Sequence, residues 1–380
     1  MKICAVICEY NPFHNGHMYQ LQQAKRLSGA DAILCIMSGN FVQRGEAAVA
    51  DKFTRAKHAV LGGADIVLEL PTIFATSNAE LFAKGAISIL SEIPAVTTLC
   101  FGAETDDKEA FLQAAELFNS EPEEISNKIK ALTSEGVSYA KARAEAWKSE
   151  LPLELLTTPN NILGLEYTRA ILSKNANIDI LPIKRVDGGY NDTELKEEFS
   201  SASAIRTAIS TGNTIKNTLP DFVLTDLPNK LTDKLDCLEK YAILTRNEAE
   251  IALICDCTEG LENAFKKAAL LKGDFVDSLT SARYTSSRIR RIALQNLLKI
   301  DETLLRQSLQ SPLYLRVLAV KKTSTDALSA LSTASLPIIA RAHDEDVLLG
   351  IAKQAYAIDR FADSVYSLLY SVTHNRTLFV

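Results

Sequence analysis

The sequence predicts an α/β fold, in which a doubly wound parallel sheet is followed by a mostly α-helical domain. In the first third of the chain, short apolar runs alternate with amphipathic stretches; the runs span residues 3–8, 32–37, 66–70 and 97–101, and the stretches span 17–27, 51–61 and 79–91. Apolar strands separated by helices are typical of a parallel sheet that helices cover on both faces. Beyond about residue 215 the sequence shows helix patterns only, at residues 230–244, 248–269, 287–299, 313–321 and 345–370.

Between these two parts the chain is predicted to return once to the sheet. Residues 107–150 predict helices, and residues 161–173 predict another, with Asn160 or Asn161 at its cap. We expect a strand at 178–183, a glycine-containing loop at 185–192, and a helix at 200–209 that begins with serine hydroxyls. A chain of 380 residues exceeds a typical single domain, so we predict two domains, residues 1–215 and residues 216–380.

The composition is ordinary for a globular protein, with 47% hydrophobic and 23% charged residues. No apolar run approaches the roughly 18 residues that a membrane span needs, and the first residues predict a strand rather than a signal peptide. We therefore expect a cytoplasmic protein without a membrane partner. The seven cysteines lack the spacing of a metal site or a disulfide framework, which predicts reduced thiols and no protein-bound metal.

A turn after the first predicted strand carries two of the five histidines of the chain, His14 and His17. Residues three apart share one face of a helix, so both imidazoles are expected on one face of the first turn of the helix that begins here. Unpaired N–H groups and the helix dipole attract phosphate at such a place, and Gly16 lets the backbone approach a bound group. A metal pair or two surface histidines are the alternatives; a metal needs a third protein ligand, and the nearby sequence offers none.

The segment N-P-F-H-N-G-H at residues 11–17 resembles the signature of the HIGH-type nucleotidyltransferase superfamily. More closely, the chain is similar to the bacterial tRNA(Met) cytidine acetate ligases. That likeness rests on further segments in order: M-S-G-N-F-V-Q-R-G-E at 37–46, D-I-V-L-E-L-P at 65–71, F-G-A-E at 101–104, P-N-N-I-L-G at 159–164 and S-A-S-A-I-R at 201–206. It is dense over about the first 210 residues and thin beyond them.

The resemblance implies an ATP site in the N-terminal domain, with Mg²⁺ accompanying the nucleotide. The positions that match ATP-lining residues of the family are Ile7, Cys8, Glu9, Tyr10, Asn11, Pro12, Phe13, His14, Asn15, Gly16, His17, Met18, Tyr19, Gln20, Gly102, Asn160 and Arg185. Ser201, Ser203 and Arg206 match the second phosphate motif of the superfamily, where hydroxyls hold phosphate oxygens and the guanidinium pairs with the β- and γ-phosphates. We interpret His14, His17 and Arg206 as catalytic residues that stabilise charge on the reacting phosphates.

The activity that the resemblance implies is the ATP-dependent acetylation of the wobble cytidine of elongator tRNA(Met) to N4-acetylcytidine. Acetate and ATP would form acetyl-adenylate, and the exocyclic amine of the cytidine would then displace AMP. Two alternatives stay open on the sequence. One is an adenylyltransferase of the same superfamily that acts on a phosphorylated small molecule, and the other is a nucleotide- or RNA-binding protein without catalysis.

Positive charge is concentrated in the predicted helical domain, although the net charge of the chain is −6. Residues 266–322 contain twelve Lys or Arg and four Asp or Glu. Such an excess favours contact with a phosphate backbone; the alternative is a solvated helical surface. We predict a tRNA-binding surface formed by Lys266, Lys267, Arg283, Arg288, Arg290 and Arg291, with Tyr284 available to stack on a flipped base.

Overall fold

A computed structural model of the chain describes residues 1–185, 200–213, 215, 217–228, 232, 234–370 and 376–380. The predicted glycine-containing loop lies outside the described residues except for Arg185, and so does the start of the helix predicted at 230–244. The strands are β1 (Ile3–Cys8), β2 (Ala32–Ser38), β3 (Phe41–Val42), β4 (Glu46–Ala47), β5 (Ile66–Leu70), β6 (Val96–Ala103), β7 (Asp179–Lys184), β8 (Leu315–Val320), β9 (Ile338–Ile339) and β10 (Leu378–Phe379).

The helices fall into two groups along the chain. The first ten are α1 (Asn15–Ser28), α2 (Lys52–Leu61), α3 (Thr72–Ala75), α4 (Ala79–Leu90), α5 (Lys108–Asn119), α6 (Glu123–Ser134), α7 (Tyr139–Trp147), α8 (Leu153–Thr157), α9 (Pro159–Ser173) and α10 (Ala202–Thr211). The others are α11 (Asp221–Leu224), α12 (Lys234–Thr245), α13 (Glu248–Ala252), α14 (Leu261–Ala269), α15 (Phe275–Leu279), α16 (Ser286–Leu298), α17 (Glu302–Leu309), α18 (Thr325–Leu331) and α19 (Gly350–Leu369), with a 3₁₀ helix at Ala342–Val347. No helix in the described ranges is long and apolar enough to cross a membrane.

β1 lies at the centre of the main sheet, whose strand order is β10-β8-β5-β2-β1-β6-β7, with β9 paired to β8. The five strands from β5 to β7 in this order are parallel to their neighbours, which confirms the predicted doubly wound sheet. The chain runs outward from β1 through β2 and β5, and then passes to the other side of β1 through β6 and β7. This reversal opens a crevice at the carboxyl ends of β1 and β6, where sheets of this kind bind ligands.

Successive residues of β1 belong to two hydrophobic cores on opposite faces of the sheet. Ile3, Ala5 and Ile7 lie in one core, and Cys4 and Val6 lie in the other. Because both faces are buried, the strand has an unbroken apolar sequence rather than an alternating one. A third core packs α12 to α16 together in the C-terminal half.

The prediction of a helix at residues 313–321 is wrong, because strand β8 forms within this segment. Every residue of β8 is buried, and the strand pairs antiparallel with β5. A short run that is apolar apart from Arg316 has no clear amphipathic period, so its pattern does not separate a buried strand from a buried helix. The C-terminal half is mostly helical as predicted, but β8, β9 and β10 extend the sheet of the N-terminal half. The division into residues 1–215 and 216–380 stays a prediction, and these strands cross it.

Two other predicted helices have different limits in the structure. The helix predicted at 248–269 is interrupted between α13 and α14 by a turn in which Asp256, Glu259 and Gly260 have positive φ angles of 66°, 63° and 81°. A helix does not continue through left-handed residues, so the chain turns there. The helix predicted at 345–370 begins only at Gly350, after the 3₁₀ helix.

Candidate active site

A pocket opens at the carboxyl ends of β1 and β6, where residues at the N-termini of α1, α9 and α10 also meet. Helix N-termini favour anions, because they carry unpaired N–H groups and the positive end of the helix dipole. The structure brings most of the predicted site residues to this pocket. Its lining includes Ile7, Cys8, Glu9, Tyr10, Asn11, His14, His17, Gln20, Gly102, Asn160, Arg185, Ser201, Ser203 and Arg206.

The start of α1 fixes the hydrogen-bonding roles of the two histidines. His14 is the N-cap residue, and its Nδ1 accepts a hydrogen bond from the backbone N–H of Gly16 at 3.1 Å. The Nδ1 of His17 accepts one from the backbone N–H of His14 at 3.3 Å, and the two rings stack with their centroids 3.6 Å apart. An accepting ring nitrogen carries no proton, so the neutral ring carries its proton on Nε2. Each histidine therefore has an Nε2–H donor on the far side of the ring from the helix backbone.

Burial lowers the pKa of both imidazoles. The pKa of His14 falls to about 3, through burial and the positive charge of Arg185. The pKa of His17 also falls well below its ordinary value, through burial and then through the neighbouring His14 and Arg185. Both rings are therefore neutral at physiological pH, and the pair offers hydrogen-bond donors without adding positive charge.

Arg206 and the start of α10 supply the positive charge opposite the histidines. The guanidinium of Arg206 donates to the backbone oxygen of Asn11 at 2.8 Å and to Oγ of Ser203 at 3.3 Å, and it lies 3.9 Å from the carboxylate of Glu46. Ser201 caps α10 by accepting a backbone N–H at 3.1 Å. The bond to Asn11 ties α10 to the histidine turn, so both predicted phosphate motifs face one pocket.

The neighbouring residues Asn160 and Asn161 have different environments, which the sequence left undecided. Asn161 is fully buried; its Oδ1 accepts two backbone N–H groups after β6 at 2.9 and 3.2 Å, and its Nδ2 donates to a carbonyl of α8 at 3.2 Å. Asn160 lines the pocket, where its Nδ2 donates to Glu104 at 2.7 Å and its Oδ1 accepts from Arg185 at 3.4 Å. Asn160 is thus positioned to contact a ligand, and Asn161 holds α9 against the end of β6.

Gly102, in β6, leaves a stretch of bare backbone between Arg185 and Gln20. A Cβ atom at this position would stand 3.6 Å from Cγ of Arg185 and 3.8 Å from Nε2 of Gln20, which is ordinary contact. Packing inside the protein therefore does not demand a glycine here. Its absent side chain widens the pocket, as a flat group lying against the strand would require.

Six residues of the predicted ATP-binding segment lie off this pocket. They are Pro12, Phe13, Asn15, Gly16, Met18 and Tyr19. Phe13 and Met18 pack in one of the sheet cores, and the side chain of Asn15 donates to the loop after α10 at 2.9 Å. Gly16 and Tyr19 line a smaller cavity of about 40 Å³ beside the histidines. The part that these residues take in ATP binding stays a prediction.

Sequence reasoning missed the apolar wall of the pocket. Residues of this type occur throughout the core, so no local pattern distinguishes those that face a ligand. The Q-R-G-E segment at 43–46, part of one of the segments that carry the family likeness, also contributes to the lining. The apolar residues are Val42, Phe82, Phe101, Leu163 and Tyr167, and the polar ones are Gln43, Arg44 and Glu46.

A buried arginine that the sequence did not single out, Arg55, holds the floor of the pocket. It is fully buried and donates to the backbone oxygens of Glu9, Ser38, Gly39 and Ala50. Its bonds thus join the carboxyl ends of β1 and β2. The side chain of Glu9 accepts the backbone N–H of residue 43 at 2.7 Å, and burial raises the pKa of Glu9.

The predicted tRNA-binding residues differ in how far their charges are buried or paired within the protein. The guanidinium of Arg288 donates to the backbone oxygen of Asp256 at 2.6 Å, and burial lowers the pKa of Arg291. Arg283 pairs with Glu259, and the guanidiniums of Arg283 and Arg288 lie 5.9 and 5.0 Å from the ring centroid of Tyr284. Arg288 therefore braces the turn between α13 and α14.

The other three basic residues differ in exposure. Lys266 donates to backbone oxygens at the end of α12 and just after it, and Arg290 lies 3.2 Å from the carboxylate of Glu46. Lys267 is exposed. Lys267 and the half-exposed Arg283 are thus the most accessible charges of the predicted set, and tRNA binding by all six stays a prediction.

Comparisons of the sequence with known proteins agree on one family. The family model of the HIGH nucleotidyl transferases matches residues 1–378. The chain is 37% identical to the tRNA(Met) cytidine acetate ligase of Thermoanaerobacter sp. (strain X514), over 97% of this chain and 96% of that protein. It is 38% identical to the tRNA(Met) cytidine acetate ligase of Leuconostoc mesenteroides, over 97% of this chain and 95% of that protein.

Solved structures agree with the sequence comparison. The apo form of Thermotoga maritima TmcAL is 31% identical and superposes with a TM-score of 0.91 over the whole of both chains. TmcAL of the same organism bound with alpha-thio ATP is 32% identical, with a TM-score of 0.86 over 98% of this chain and 96% of that one. The chain therefore belongs to the HIGH nucleotidyl transferase family and, within it, to the tRNA(Met) cytidine acetate ligases.

Proposed function

We propose that this protein acetylates the wobble cytidine of elongator tRNA(Met) to N4-acetylcytidine, using acetate and ATP. The names of the relatives support the overall reaction. One observation carries the assignment of the nucleotide site: two neutral imidazoles with Nε2–H donors share a pocket with Arg206 and the N-terminus of α10. Donors from three sides suit a triphosphate, because its negative charge is spread over many oxygens.

In the first step, an oxygen of acetate attacks the α-phosphorus of ATP, and pyrophosphate leaves. Catalysis of such a transfer depends on positioning and on charge stabilisation. His14 and His17 donate from Nε2 to the phosphates, and Arg206 pairs with the leaving pyrophosphate. Because the imidazoles are neutral, they stabilise the developing charge as hydrogen-bond donors and not as general acids.

The adenosine part of ATP fits the side of the pocket formed by Gly102, Asn160 and Arg185. The amide of Asn160 offers a donor and an acceptor for a base edge. The guanidinium of Arg185 can stack on a base or pair with a phosphate. The apolar wall excludes water from the same space.

In the second step, the exocyclic amine of the cytidine attacks the acetyl carbon; the new C–N bond forms, AMP leaves and one proton is released. Acetate needs the activation, since its own leaving group would be oxide. The base has to leave its loop to reach the pocket, and the basic residues of the C-terminal half would hold the tRNA backbone. Mg²⁺ is expected to travel with the phosphates of ATP, and no protein residue is assigned to it. Because tRNA is the substrate, we place the protein in the cytoplasm.

The test uses labelled acetate, ATP and total bacterial tRNA. After incubation the tRNA is digested and the labelled nucleoside is identified; N4-acetylcytidine is the expected product. A parallel assay follows exchange of pyrophosphate into ATP, which should require acetate. Exchange without acetate and without any labelled tRNA would reject the proposal in favour of a small-molecule adenylyltransferase.

A further inference from the structure

A second cavity, of about 570 Å³, adjoins the active-site pocket. Arg44, Glu46, Ser203 and Arg206 line both spaces, so the two cavities share a border. The remaining walls come from the β3–β4 hairpin, the residues just after it and α10 in the N-terminal half, and from α12, α15, α16 and neighbouring residues in the C-terminal half. The volume falls within the range of about 300–1,000 Å³ that is usual for small-molecule sites.

The position of this cavity is fixed by a close contact between the two halves of the chain. Gly45, at the tip of the β3–β4 hairpin, has a φ of +75°, and a Cβ atom there would stand 2.5 Å from backbone atoms of Arg290 and Arg291. Only glycine allows the hairpin to approach α16 this closely. The ion pair of Arg290 with Glu46, at 3.2 Å, closes the same contact. The packing of the hairpin against α16 and this ion pair therefore fix the border between the two cavities.

Glu239, on α12, lines the second cavity with a carboxyl oxygen that lacks a partner. The residue is 4% exposed, and no described residue donates to its Oε1. One turn earlier, Oδ2 of Asp236 pairs with Lys240 at 2.9 Å, while its buried Oδ1 has no donor within the described ranges. A buried carboxyl oxygen without a donor is costly, and buried polar groups are nearly always paired. The arrangement indicates a ligand that brings N–H groups to this wall.

The remaining lining favours a neutral, flat ligand over a phosphate. Asp236 and Asp274 in the lining offset the positive charge of Arg44, Arg206 and Arg290, so the cavity carries charges of both signs. Phe275 and Tyr370 provide aromatic surface. Burial raises the pKa of Glu239 well above its ordinary value; Asp236 and Asp274 add to this effect and Arg290 opposes it. A nucleobase meets these conditions, because it stacks on aromatic rings and carries N–H donors on its edge.

We propose that this cavity receives the target cytosine of the tRNA, and that Oε1 of Glu239 accepts a hydrogen bond from its exocyclic amine. The proposal rests on the proposed function, which places acetyl-adenylate in the adjoining pocket. Glu and Asp are the side chains that accept from the N4 amine of cytosine. The base would enter between the two halves of the chain, with the amine directed toward the border formed by Ser203 and Arg206. Glu239 is then a residue that selects the base, and the phosphate chemistry stays with the histidine pocket.

Separate assays of the two half-reactions distinguish recognition of the cytosine by Glu239 from a role in adenylate formation. The full-length Glu239→Leu protein should exchange pyrophosphate in the presence of acetate within about two-fold of the wild type, but transfer acetyl to an elongator tRNA(Met) transcript about 10- to 100-fold more slowly. Glu239→Gln keeps an acceptor oxygen and should retain most of the transfer. Glu248→Gln, at an exposed position of α13, is the matched control and should change neither step.

Normal transfer by Glu239→Leu overturns the proposal, and so does an equal loss of both half-reactions, since that marks Glu239 as structural. Absence of acetate-dependent exchange in the wild type rejects the proposed function instead. A second measurement locates the base directly. A transcript with 5-iodocytidine at the target position, which keeps the exocyclic amine, is irradiated with the wild-type protein, and the crosslinked peptide is mapped. Crosslinks to α12 or α15 support the proposal, and crosslinks confined to other segments overturn it.

Discussion

The backbone N–H of His14 donates to Nδ1 of His17 at 3.3 Å, and the two imidazoles stack with centroids 3.6 Å apart. The first residue thereby sets the tautomer of the second, while the N–H of Gly16 sets that of the first. The pair is a unit in which two Nε2–H donors are held side by side by the first turn of α1. The effects of this arrangement on catalysis and on the pH dependence of stability can be measured.

Removal of either imidazole should abolish most of the first half-reaction. For His14→Ala and His17→Ala we expect acetate-dependent pyrophosphate exchange to fall by about 10²- to 10³-fold, because each loses a donor to the reacting phosphates. His14→Ala also removes a helix cap, at a cost of about 1 kcal/mol in the free energy of unfolding. His343→Ala, at an exposed position, serves as the control. Exchange at the wild-type rate in both histidine variants would remove the pair from the mechanism.

Acid should destabilise the protein through the same pair. In the folded state the pKa of His14 is about 3 and that of His17 is also lowered, whereas an unfolded histidine has a pKa of about 6.5. Between these values the unfolded state binds more protons, so the free energy of unfolding falls as the pH drops below about 6.5, by about 1.4 kcal/mol per pH unit for each histidine. Urea unfolding between about pH 5 and 7.5 should show a shallower dependence on pH in His14→Gln/His17→Gln than in the wild type. Parallel curves would contradict the lowered pKa values.

Substitutions of the adjacent residues Asn160 and Asn161 should change different properties, the first ATP binding and the second stability. Asn160→Ala should raise the KM for ATP by about ten-fold and leave the free energy of unfolding nearly unchanged, because it removes a pocket-lining amide. Asn161→Ala should lower the free energy of unfolding by about 2–4 kcal/mol, since it leaves buried backbone groups unpaired. Steady-state kinetics and urea denaturation measure both quantities. The reverse pattern would show that Asn161 is the one that contacts the nucleotide.

Loss of exposed positive charge should affect tRNA and spare the adenylate step. Lys267→Ala/Arg283→Ala should raise the KM for tRNA several-fold and leave pyrophosphate exchange unchanged. The plot of the logarithm of the tRNA binding constant against the logarithm of salt concentration should become less steep by about 2, as expected for the loss of two phosphate contacts. Lys353→Ala, on the exposed face of α19, is the control. Arg291→Ala should instead lower the free energy of unfolding, because its guanidinium is enclosed. An unchanged KM and salt slope in the double variant would exclude this surface from tRNA binding.

A buried lysine joins the sheet to the last long helix, and its loss should unfold the protein more easily. Nζ of Lys52 lies 2.8 Å from both oxygens of Glu69, at the end of β5, and 2.7 Å from Oδ2 of Asp363 on α19. Lys52→Met leaves the buried carboxylate of Glu69 without its cation, while Asp363 keeps a hydrogen bond from Asn40, and should cost about 3–5 kcal/mol in the free energy of unfolding. Lys57→Met, which breaks a partly exposed pair on the same helix, should cost less than about 1 kcal/mol. Equal effects in the two variants would show that the buried network is not stabilising.

Local patterns predicted the parts of this protein whose structure depends on neighbouring residues. The apolar run of β1, the turn and the start of α1 are consecutive in the chain, so the sequence indicated both the central strand and the histidine site. The alternation of strands and helices indicated the doubly wound sheet in the same way. The strand β8 was missed because its identity depends on pairing with β5, about 250 residues earlier in the chain.

The sequence by itself determined the class of sheet, the position of the histidine turn and the family of the protein, since each depends on short segments that follow one another in a fixed order. Only the tertiary structure decided that Asn160 and not Asn161 faces the pocket, that Arg291 is enclosed, and that Glu239 lines a second cavity beside the first. These properties depend on which side chains from distant segments exclude water from one another, and burial of that kind has no local period in a sequence.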